Sequence, residues 1–90
     1  MSTWTIWKFE LLVTDHAEVE MPHGATLLDV QATSSPAFLQ LWAVIDPTAP
    51  KEPRRFEIRG TGHPLGKVGP HIATVQTRGL VWHVFEEASR

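Results

Sequence analysis

Alternation by two, broken every ten residues or so by proline or glycine, is the feature that most constrains what this chain can fold into. A period of two sends successive side chains to opposite faces of a strand, whereas a helix repeats near 3.6. In "WTIWKFELLVTD" Trp7, Phe9, Leu11 and Val13 share one face, and Lys8 and Glu10 take the other. "EVEMP" sets Val19 and Met21 against Glu18 and Glu20 and stops at Pro22, which has no N–H to give to a ladder. "ATLLDVQA" places Leu28, Val30 and Ala32 opposite Asp29 and Gln31.

"AFLQLWAVID" differs because both of its faces are apolar. Leu39, Leu41, Ala43 and Ile45 lie on one side, and Phe38, Trp42 and Val44 on the other. Such a strand is expected at the centre of a sheet and covered on both sides. Pro47, Pro50 and Pro53 then make a stiff, non-helical loop. "RRFEIRG" alternates Phe56 and Ile58 with Arg55, Glu57 and Arg59, and "HIATVQT" and "LVWHVFEE" close the chain. The connection between these last two is expected to be a three-residue loop with Gly79 left-handed, because a type I′ turn would force Arg78 to positive φ. Seven short strands with regular turn signals predict an all-β protein, a compact antiparallel sandwich or partly open barrel. No repeat or linker divides residues 1–90, so one domain is expected.

A 90-residue domain buries only about 60–65% of the surface of its unfolded chain, so its core is thin and association would help it. The longest apolar run, Leu41 to Ile45, is far short of the ~20 residues that span a bilayer. No basic, apolar and small-residue succession opens the chain, so no signal peptide is expected. The sequence has no cysteine, which removes disulfides, thiolate nucleophiles and cysteine-ligated zinc and fits a reducing cytoplasm. A net charge of −2 argues against a nucleic-acid partner.

The blocks "IWKFELLVTD", "MPHGATLLDVQ", "LWAVIDP", "RRFEIRGTGHPL" and "VWHVFEE" resemble a widespread group of small uncharacterised proteins from bacteriophages, prophages and bacteria. The resemblance covers nearly the full chain, and "GTGHP" and "HVFE" are its most specific parts. It implies a phage-associated protein in the cytoplasm of a bacterial host. It carries no catalytic residue.

The stretch "RRFEIRGTGHPLGKVGPH" is the candidate ligand site. Gly60 and Gly62 permit positive φ, and successive exposed amides in such a turn can cradle an anion. With Thr61 and His63 in the turn and Arg54, Arg55 and Arg59 beside it, a nucleotide-like small anion could be held bidentately. Arg55 and Arg59 fall on one face of their strand. "GTGHPL" has Leu65 where a dinucleotide fingerprint needs glycine, and no GK[ST] follows, so neither phosphate-binding motif applies. The competing interpretation is a stiff inter-strand connection whose histidine bonds locally.

Other chemistries have thinner support. His16, His23, His63, His71 and His83 show no zinc-ligand spacing, and His83, within a strand apolar on both faces, is expected to be a hydrogen-bonded core residue. The serines, Ser2, Ser34, Ser35 and Ser89, lie in no nucleophile elbow, and Glu18 with Glu20 or Glu86 with Glu87 look like solvated faces. Trp7, Trp42 and Trp82 are expected in the core, with Trp4 partly exposed. The expectation is therefore a non-enzymatic, cofactor-free, homodimeric accessory protein that binds a host macromolecule, a host protein or defence component. Two alternatives stand beside it. One is a binder or sponge for a nucleotide-like anion at Gly60–His63, and the other a metal-dependent hydrolase using His63, His71 and His83.

Overall fold

The structure, a computed structural model, describes residues 3–88. Each alternating segment becomes a strand: β1 (Thr5–Leu12), β2 (His16–Pro22), β3 (Thr26–Ala32), β4 (Phe38–Ile45), β5 (Lys51–Gly60), β6 (His71–Gln76) and β7 (Val81–Glu86). All pairings are antiparallel, and they make two sheets, ordered β1-β4-β3 and β2-β5-β7-β6. The sheets share no ladder, so the protein is a sandwich and not a closed barrel.

The core lies between the sheets and is built from the inward phase of each strand. Leu39, Leu41, Ala43 and Ile45 on β4 meet Met21, Phe56, Ile58, Val75 and Val84 from the other sheet. Full burial of a side chain such as Leu41 or Phe56 is worth about 1.5–3 kcal/mol, so this single layer carries most of the stability. Trp7, Phe9 and Trp82 pack against it from its margins.

Four expectations are corrected. First, β4 is central in its sheet, but only one of its faces is covered: Phe38, Trp42 and Val44 on the second face are half-buried, and Trp42 is outside the core. Second, the β3–β4 register slips between Leu27 and Asp29. This bulge turns Leu27 toward the core and leaves Leu28 49% exposed. Third, β5 starts at Lys51 and includes Pro53. Residues 51–54 pair with β2 alone, since the chain around β7 first meets β5 at Arg55 and Phe56, so the missing proline donor falls where β5 is still an edge. Fourth, the Thr77 N–H donates to the Leu80 carbonyl at 2.8 Å, so the β6–β7 turn encloses Arg78 and Gly79 alone. Gly79 does take φ 76° while Arg78 stays out of the left-handed region.

Candidate functional site

The "GTGH" stretch is a tight turn leaving β5. The His63 N–H donates to the Gly60 carbonyl at 3.1 Å, and Gly62 at the third position has φ 88°. Those are the marks of a type II turn, which demands glycine there. Gly60 itself is not left-handed and serves a different purpose. A Cβ on it would lie 2.9 Å from two atoms of the His63 ring, so the missing side chain lets the imidazole close over the backbone. The Thr61 N–H donates to the Val81 carbonyl at 3.3 Å. With the Thr61 and His63 amides both engaged, no two successive amides of the turn are free to make an anion cradle.

The arginines beside the turn are engaged as well. Arg59 donates through Nε to the Leu65 carbonyl at 2.8 Å and through Nη1 to the Asp15 carbonyl at 3.1 Å. Its Nη2 meets Glu57 Oε1 at 2.9 Å. One guanidinium thus ties the β1–β2 turn, the strand β5 and the β5–β6 loop together. Arg55 pairs with Glu18, its register partner on β2, at 3.1 Å. Arg54, on the opposite face, donates to the Ala25 carbonyl at 2.9 Å and to Glu86 at 3.1 Å. A shallow cleft of about 370 Å³ lies here between Asp15, His16, Arg59 and the 63–66 loop, with its one arginine already committed.

Glu57 is the one buried charged residue among those described. Burial pushes its carboxyl up, but hydrogen bonds and charge from His16 and Arg59 outweigh this and hold it below its ordinary value. His16 Nδ1 lies 2.7 Å from Glu57 Oε1.

The histidines around the turn do not converge on one point. His83 is half-exposed, not in the core. Its Nε2 lies 2.8 Å from Thr61 Oγ1 and its Nδ1 3.1 Å from Thr74 Oγ1, which also contacts His71 Nε2 at 2.9 Å. His63 is over Gly60. Among the described residues no three His, Asp or Glu side chains are grouped so that they could hold a metal ion. Ser2 and Ser89 lie outside the described residues; Ser35 Oγ accepts the Ala37 N–H at 3.2 Å.

A feature not anticipated from the sequence is the outer face of the β1-β4-β3 sheet. The register stacks it in rows: Ile6, Val44 and Thr26; Lys8, Trp42 and Asp29; Glu10, Gln40 and Gln31; Leu12 and Phe38. Ile6 is 58% and Leu12 50% exposed, and Trp42 is half-buried. The apolar residues of this face form two patches, Ile6–Val44–Trp42 and Leu12–Phe38, separated by the polar row Glu10–Gln40–Gln31. The signal was present in the two apolar faces of "FLQLWAVI".

A family model described as a domain of unknown function (DUF7352) matches residues 2–90. No curated protein and no solved structure matches the chain.

Proposed function

The chain belongs to the DUF7352 family, and from its surface we propose that it acts by binding, not by catalysis. The reading is a phage-associated accessory protein, working in the cytoplasm of a bacterial host. It dimerises through the outer face of the three-stranded sheet and meets a host protein, a defence component, with the two four-stranded sheets that the dimer leaves outward. The phage association comes from the sequence resemblance. The dimer comes from the surface, and the observation that carries it is the row Lys8–Trp42–Asp29.

A two-fold axis parallel to β4 and passing by Trp42 exchanges the β1 and β3 sides of this face. Lys8 of each copy then sits over Asp29 of the other, with the two Trp42 rings between the pairs, and Glu10 comes over Gln31. The face is therefore complementary to itself in charge as well as apolar, the property an isologous contact requires. Strands of eight residues, three abreast, give a footprint of roughly 27 × 14 Å, or about 400 Å² per copy before side-chain relief. Two copies together would bury about 800 Å², less than the roughly 1,200–2,000 Å² of standard specific interfaces, so a weak, concentration-dependent dimer is expected.

Sedimentation velocity across a concentration series tests this. Wild type should pass from monomer to dimer; Lys8→Asp and Asp29→Lys should each stay monomeric, and the double exchange should restore the dimer. A monomer at several hundred micromolar, or single variants that dimerise normally, would overturn it. For the host partner, capture from lysate should survive the dimer-breaking changes at reduced avidity and be lost when Glu18 and Arg55, exposed on the four-stranded sheet, are both replaced by Ala. Capture indifferent to both would remove the second half of the reading.

A further inference from the structure

We infer that the cleft between the β3–β4 loop and the β6–β7 hairpin binds a small aromatic carboxylate, anchored by Arg78 and laid against Leu80 and Trp82. This site is independent of the dimer face and distinct from the glycine turn. It opens at the end of the sandwich where β3 and β6 face one another, and its volume is about 390 Å³. That lies within the roughly 300–1,000 Å³ range of small-molecule pockets, near its lower end, which suits a ligand of one or two rings.

Both walls are built in advance by their own hydrogen bonds. On one side Thr33 Oγ1 accepts the Ser35 N–H at 3.0 Å and lies 3.0 Å from the Ser35 and Phe38 carbonyl oxygens. On the other, the Thr77–Leu80 bond and left-handed Gly79 fix the hairpin tip that carries Arg78. A cleft whose walls are already ordered gives up little conformational entropy when it is filled.

Its chemistry selects the ligand. Its apolar lining is Ala32, Pro36, Trp82 and Leu80, the last 55% exposed. The rest of the lining is hydroxyls, the Gln76 amide and Arg78. The only ionisable group lining it is Arg78, and no carboxylate is present. The contrast with the other arginines is decisive. Among the described residues Arg54, Arg55 and Arg59 each meet a carboxylate, while Arg78 has no hydrogen bond or ion pair. One guanidinium fork matches one carboxylate bidentately, whereas a phosphate dianion calls for further donors that this rim does not concentrate. The apolar lining beside Arg78 calls for a flat hydrocarbon body.

Calorimetry with two probes of the same shape, indole-3-acetate and its neutral amide, indole-3-acetamide, tests the inference on protein dilute enough to be monomeric. The acetate should bind at least about tenfold more tightly than the amide, the step expected for a charged hydrogen bond. Arg78→Gln should erase that preference, Arg78→Lys should retain part of it, and Arg55→Gln should leave it unchanged. Melting curves on each variant confirm that the exposed turn still folds. Equal binding of the two probes, an acetate preference that survives Arg78→Gln, or no heat from either probe at millimolar concentration would each overturn the assignment.

Discussion

Replacing Arg59 by Met removes one guanidinium from three parts of the chain at once, and the structure tells which loss dominates. The Asp15 carbonyl keeps the Ile58 N–H at 3.1 Å, and Leu65 is exposed, so water replaces the lost donor there. Glu57 is the group left in difficulty, with a side chain 9% exposed and only the surface residue His16 still beside it. Removing one member of a buried ion pair costs about 3–5 kcal/mol, and the surviving His16 contact brings this to roughly 2–4 kcal/mol. For a domain of this size that is a fall in Tm of roughly 10–30 °C. Urea unfolding at pH 7 measures it. The control is Glu57→Gln combined with Arg59→Met: with no orphaned carboxylate, the double variant should be more stable than Arg59→Met alone.

The pH dependence gives a second reading of the same pair. In the wild type the Glu57 carboxyl is held below its ordinary value of 4.5, so its stabilisation is complete above that pH and fades as the pH falls through it toward the lower folded value. In Arg59→Met burial acts with less opposition and raises the carboxyl, so acid neutralises the orphaned charge. The difference between wild type and variant should therefore shrink from pH 6 to pH 3. A loss under about 0.5 kcal/mol at pH 7, or a double variant no better than the single, would refute the reasoning.

Gly62→Val should destabilise by about 1–3 kcal/mol, because a β-branched residue must adopt the left-handed φ of 88°; chemical denaturation should find this loss even though nothing crowds the added atoms. Gly69→Ala should be worse, since its Cβ would stand 2.6 Å from the Glu87 backbone oxygen and 2.9 Å from that of Glu86, breaking the Gly69 N–H bond to Glu86; a Tm unchanged within 2–3 °C would contradict the close approach. Trp42→Ala should leave the monomer folded, with a loss of about 1–2 kcal/mol rather than the 3–5 typical of a core tryptophan, while abolishing dimerisation in the sedimentation assay.

The strands were legible because alternation by two follows directly from strand geometry, and each of the seven alternating segments becomes a strand, although β5 begins inside the stretch expected to be a proline loop and β3 carries a bulge. The misses share a cause: they depend on what lies across from a residue. Leu28 looks as apolar as Leu27, and only the register slip, a backbone event, decides which of them faces the core. Trp42 sits on a strand with two apolar faces, and a sequence marks a face as dry without saying whether the same chain or another covers it. Gly69 reads as one more loop glycine, although its role is contact with a strand end 17 positions away.

The arginines carry this furthest. "RRFEIR" looks like an anion site because three guanidiniums crowd into six residues, yet acids on adjacent strands or on β5 itself meet every one: Glu86 for Arg54, Glu18 for Arg55, Glu57 for Arg59. A cluster of like charges inside a sheet is stable only when its partners are built in, so density of charge in sequence is poor evidence of a vacant site. What distinguishes a binding cation is the absence of an internal partner together with an apolar wall beside it. Among the described arginines those conditions meet at Arg78, which stands apart in an ordinary hairpin turn.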